Sequence, residues 1–240
     1  MNAIVRGDLR VRLSSAKAVA IHTVFLIVLA LLAFLSLPPE LGRLDDLRQE
    51  GLLLAFLVVE TVLVAYFTSA SACGEIVIEG EKSVWDLAAS PFPAGGIATA
   101  KVLTSGAFAA VMLVIATPFL AIVAGIRGES MSEVARAAVV AIPFATAMGA
   151  LGTVYGVVFE SDFARSFVHW LTLLALVVGG TALPPPWNLI SPVRGIAVAV
   201  RTGLDFGVLL AAAGYLMMAV VAAVAIRYRV EAIRREAQAS

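Results

Sequence analysis

Six stretches of this chain, Ala18–Leu37, Leu52–Ser71, Ala98–Ala124, Ala135–Phe159, Ala164–Leu183 and Gly203–Ile226, are apolar over a length that matters. A helix needs roughly 20 such residues to cross a bilayer. In lipid an unpaired backbone group is costly, so runs of this kind fold as helices that close their hydrogen bonds internally. The expected fold class is therefore an all-α integral membrane protein with six transmembrane helices. Composition agrees: of 240 residues, 61% are hydrophobic and 14% charged, with a mean hydropathy of +0.98. A soluble domain carries roughly a quarter charged residues. The formal net charge is +0 and no basic block occurs, which argues against nucleic acid as a partner and leaves the lipid bilayer. Cys73 is the sole cysteine, which rules out an internal disulfide and any cysteine-built metal site. The first run is followed by Leu37-Pro38-Pro39-Glu40, not by a small-residue cleavage site, so it is expected to be retained. No repeat or low-complexity linker divides residues 1–240, which read as a single membrane-spanning domain.

Six crossings put both termini on one side, and the flanking cations say which. One side holds Arg6, Arg10, Arg12, Lys17, Lys82, Lys101, Arg165, Arg227, Arg229, Arg234 and Arg235. The other holds only Arg43, Arg48, Arg127, Arg136, Arg194 and Arg201. The termini are thus expected in the cytoplasm. In the arm 1–17, Val5, Leu9 and Leu13 recur at four-residue spacing while Arg6, Asp8 and Arg10 occupy other sectors. That pattern predicts a short interfacial helix. Pro184-Pro185-Pro186-Trp187 stops the fifth span, because proline lacks a donor and clashes with the preceding turn. The apolar run after it is too short to cross. Residues 184–202 are expected to form an external, partly re-entrant segment with Trp187 at headgroup depth, and 227–240 a cytoplasmic tail.

Residues 74–96 interrupt the apolar monotony with a charged insert between spans two and three. Ser83 and Asp86 have the spacing of a capping box, predicting a helix from Val84 to about Ala89 that ends at Ser90-Pro91. Trp85 would be its anchor, either in a groove on another protein or simply at the headgroups. Glu75, Glu79 and Glu81 would lie on a cytoplasmic continuation of the second span, broken at Gly74 and Gly80.

The run Glu81-Lys82-Ser83-Val84-Trp85-Asp86-Leu87-Ala88-Ala89-Ser90-Pro91 resembles a stretch found after the second span of type-2 ATP-binding-cassette (ABC) exporter permeases, E-(R/K)-G-T-x-E-x-L-x-x-(S/T)-P. Ser83-Val84 stands where that family has Gly-Thr, and Ala88 where it has leucine. The resemblance implies a coupling helix on which a separately encoded ABC ATPase docks, with Glu79, Glu81, Lys82, Ser83, Val84, Trp85, Asp86 and Leu87 as the coupling residues. It also implies a lysine, here Lys101, opening the third span, and a second permease subunit, either this chain or a homologue. ATP and Mg would sit on the partner ATPase, with no cofactor in this chain. The protein would lie in a prokaryotic cytoplasmic membrane and export an amphipathic, lipid-like or drug-like substrate. A membrane anchor that recruits a cytoplasmic partner without transport is the competing reading.

No phosphate-binding loop of the G-x-x-x-x-G-K-(S/T) type and no H-E-x-x-H spacing occurs, so neither ATP hydrolysis nor zinc proteolysis is expected of this chain. A membrane serine hydrolase would have to pair Ser105 with His169, although serine in a span is ordinarily packing material. Glu60 interrupts the second span. An ionisable group there marks a functional site facing the bundle interior, on a translocation path or in a proton relay, unless it only hydrogen-bonds a neighbouring helix. Pro118 and Pro143 would kink the third and fourth spans. Gly152-x-x-x-Gly156 and Gly203-x-x-x-Gly207 would permit close helix contact.

Overall fold

The computed structural model describes residues 2–36, 52–73, 90–127 and 130–239. All regular structure among them is helical: α1 (Asn2–Ser14), α2 (Ala16–Ser36), α3 (Leu52–Cys73), α4 (Ala94–Arg127), α5 (Met131–Val158), α6 (Asp162–Val177), α7 (Pro192–Arg201) and α8 (Phe206–Ala239). Two short 3-10 turns, Gly179–Ala182 and Trp187–Ile190, join α6 to α7. Five helices are long and apolar enough to cross a bilayer: α3, α4, α5, α6 with its 3-10 extension, and α8. The bent pair α1–α2 would make six. The chain is a multi-pass, all-α membrane protein. Its two ends are called here the terminal face, which carries α1 and the end of α8, and the far face.

α5 is the centre of the bundle, and its sequence explains why. Between Phe144 and Thr153 it is almost continuously buried, through Ala145, Thr146, Ala147, Gly149, Ala150 and Gly152. Lipid tails are as apolar as leucine, so helices associate in a bilayer through close packing and hydrogen bonds, which small residues allow. A Cβ on Gly149 would lie 2.5 Å from Ser105 Cβ on α4 and 2.8 Å from the Thr68 methyl on α3. One on Gly152 would lie 2.5 Å from the Ser69 carbonyl oxygen, a backbone atom with no freedom to swing away. Gly152 therefore packs inside the bundle. The second glycine pair does not form a helix contact at all: Gly203 has φ of +96° and lies in the turn before α8. Asp205 caps α8 by accepting the Val208 N–H at 2.8 Å. Pro118 and Pro143 both lie inside unbroken helices.

Residues 227–240, expected as a tail, continue the last span as helix: α8 runs through Ala239. Its buried stripe (Val208, Ala212, Tyr215, Ala219, Ala222, Ile226, Val230, Ile233, Ala237) keeps a three-to-four spacing along the whole helix. At 1.5 Å per residue the helix is about 51 Å long, well beyond the ~30 Å hydrocarbon layer. Its basic end thus projects from the terminal face. On the far face, α7 buries Pro192, Gly195, Ile196 and Ala199 and leaves Arg194 and Arg201 exposed. Gly195 meets Val140 of α5, which is about two and a half turns in from Met131. The loop that carries α7 is pinned by Ser191 Oγ donating to Val177 O (3.0 Å) and by Tyr215 Oη donating to Ile190 O (2.7 Å).

Candidate functional site

The eight residues expected to couple to an ATPase (Glu79, Glu81, Lys82, Ser83, Val84, Trp85, Asp86 and Leu87) lie outside the described residues. The base of their insert is described. α3 is described as far as Cys73, the chain is again described from Ser90, and α4 opens at Ala94, so the insert gives its last residues, 94–96, to a helix. Arg234 of α8 donates to the carbonyls of Ser90 (3.3 Å) and Phe92 (2.7 Å). Phe92 and Ile4 pack on a small cluster of Ala94, Ile97, Ala98, Ile226 and Val230. The exit of the insert is thereby held by α1, α4 and the projecting end of α8. In the sequence alone Arg234 is one more flanking cation. The stripe that continues past Ile226 was the signal that its helix would reach back to the insert.

Just inside the terminal face the helices share a buried polar layer. Lys101 Nζ donates to Asp8 Oδ2 at 2.7 Å, and Arg12, 5% exposed, donates to Ser105 Oγ at 3.5 Å. Arg12 also lies over the Phe108 ring, 5.8 Å from its centroid. Leu9 and Leu13 of α1 turn to the core, whereas Arg6 and Arg10 are exposed. α1 is thus bound to α4 by charge as well as by apolar contact, and it meets α2 at 59°. Asp8 and Arg12 share a four-residue spacing beside Leu9 and Leu13, and Lys101 and Ser105 repeat it on α4. That match was present in the sequence but invisible without the helix pairing.

His169 does not meet Ser105. Its Nδ1 lies 2.7 Å from Ser69 Oγ, and its ring lies beside those of Tyr66 and Trp170. Ser105 donates instead to Lys101 O within its own helix, at 3.0 Å. Ser69 is fully buried, His169 is 3% exposed, and neither lines a described cavity. The Ser105–His169 hydrolase arrangement is therefore absent from the fold. No cluster of His, Cys, Asp or Glu able to hold a metal occurs among the described residues.

Glu60 lies in the far half of α3, about two turns from Leu52. It is 1% exposed, and its Oε1 has no hydrogen-bond partner among the described residues. It lines a cavity of about 280 Å³ between α3, α4 and α5, whose other walls include Leu57, Leu113, Leu120, Val134 and Ala138. Val114 and Met131, also on its wall, are 69% and 41% exposed, so the cavity opens sideways between α4 and α5. A second, larger hollow of about 660 Å³ lies on the far face between Trp187, Ile190, Phe206, Leu210 and Tyr215, and is almost wholly apolar. Of the two, only the first is lined by a carboxyl group. No family model matches this chain, and no curated protein does.

Proposed function

We propose that this chain is the transmembrane subunit of an ATP-driven exporter of the type-2 ABC class, working with a separately encoded ATPase that binds ATP and Mg. The observation that carries this reading is the charged insert 74–96 with its Glu81–Pro91 run, hung between two span-length helices. Both termini and the insert face the cytoplasm in this reading, and a second permease subunit completes the pathway. The construction around the insert supports a mechanical role. α3 leads into it and packs most extensively on the central α5, while α4 leads out of it with the exit held by Arg234. Displacement of Trp85 by a nucleotide-dependent partner would move these helices as a unit. Nucleotide would then bias a two-state bundle through contacts that differ between its states. An amphipathic cargo suits the sideways opening beside Glu60.

The test is Trp85→Ala, assayed by ATPase co-purification and by cargo-stimulated hydrolysis. An aromatic anchor is typically worth about 2 kcal/mol, roughly thirtyfold in affinity. The variant should lose ATPase binding or coupling while its thermal midpoint in detergent stays unchanged. Normal binding and normal coupling in this variant refute the docking role. Partner binding that never responds to any cargo favours the membrane-anchor alternative.

A further inference from the structure

We propose that the cavity beside Glu60 is a binding site for a compact apolar molecule, or the compact head of a larger one, that carries a single amine. The inference deepens the transport reading and rests on it for a role in export, although binding itself needs only this chain. The chemistry of the wall selects the ligand. Leu57, Leu113, Leu120, Val134 and Ala138 offer apolar contact, and Thr117 already gives its hydroxyl proton to Leu113 O at 3.1 Å. The Thr61 and Thr117 hydroxyls also border the cavity and keep acceptor lone pairs, but among the described lining residues Glu60 supplies the only carboxyl, and its Oε1 is shielded and meets no partner among them. A purely hydrocarbon guest would leave that oxygen unsatisfied, at a cost comparable to a lost buried hydrogen bond. An anion would meet no cationic side chain on that wall. A divalent metal would lack further ligands, since no second acidic or histidine side chain joins Glu60 in a cluster among the described residues.

An amine fits on each count: its N–H groups donate to the carboxyl while its carbon frame covers the leucine and alanine wall. At about 280 Å³ the cavity is at the small end of ligand sites, which restricts the guest to a compact frame. The exposed rim at Val114 and Met131 gives it a route in from the side.

The experiment uses the purified full-length chain in lipid nanodiscs, without any ATPase. Radiolabelled adamantylamine and its methyl isostere, methyladamantane, are the probes. The wild-type chain should bind the amine at least roughly tenfold more tightly than the isostere. Glu60→Leu, which removes the acceptor oxygens, should abolish that preference, and Ala138→Leu, which fills the cavity, should abolish amine binding. Equal binding of the two probes by the wild-type chain overturns the proposal, as does an undiminished preference in Glu60→Leu. If Glu60→Leu does not fold, Ala138→Leu decides, because undiminished amine binding there overturns the location. No ATPase is present in this assay, so failure of the docking reading and failure of the amine site give different results.

Discussion

The two ends of α3 are built differently. Toward the terminal face, Val64, Ala65, Thr68, Ser69 and Ala72 are packed without relief against α4 and α5. Gly149 and Gly152 bring the backbones so close that a methyl group would not fit. Toward the far face, Leu57, Glu60 and Thr61 of the same helix border open volume. α5 repeats the contrast, solid from Phe144 onward and cavity-lined as far as Ile142. A densely packed half transmits displacement, and it is the half from which the insert hangs. A loosely packed half leaves room for a guest, and it holds the sheltered carboxyl. In the proposed export cycle, the partner would push on the dense half and the cargo would bind in the loose one.

The sharpest way to break this comparison is to add the same bulk to each half. Gly152→Leu drives side-chain atoms into the Ser69 carbonyl and should cost at least about 3 kcal/mol. Loss of monodisperse protein on size exclusion, or a large drop in thermal midpoint, would show it. Next in size is Asp8→Ala, which removes the Asp8 carboxylate from the largely buried Lys101 and should cost about 2 kcal/mol in thermal unfolding. Adding Lys101→Met should cost less than the two single changes summed, because the pair acts together. Ala138→Leu is the mildest. It fills existing space and should change stability by no more than about 1 kcal/mol in either direction. If Gly152→Leu and Ala138→Leu proved equally harmful, the two halves would not differ in packing as described.

Much of the architecture was legible in residue order. Helices beginning at Leu52, Ala94, Met131 and Asp162 lie within a few residues of the apolar runs that predicted them, since bilayer thickness sets a length any local window reveals. The proline stop after the fifth span and a helical arm before α2 were legible for the same local reason. Other features were not. Gly203 and Gly207 have the spacing of a helix contact, but the first is a turn residue with positive φ. Ser105 and His169 looked like the available serine–histidine pair, and His169 meets Ser69 instead. Glu60 stood out by its charge alone, whereas the cavity it faces is made by α4 and α5 and has no trace in the residues around it.

By itself the chain determined its class: hydropathy and run length commit it to a helical, multi-pass membrane protein with a charged insert on one face. Tertiary structure decided which polar groups meet. Asp8 and Lys101 are 93 positions apart, and Ser69 and His169 are 100 apart. Crossing lipid depends on neighbouring residues along one helix. A buried charge or hydroxyl is satisfied only by what another helix brings beside it, and that choice is made when the bundle closes.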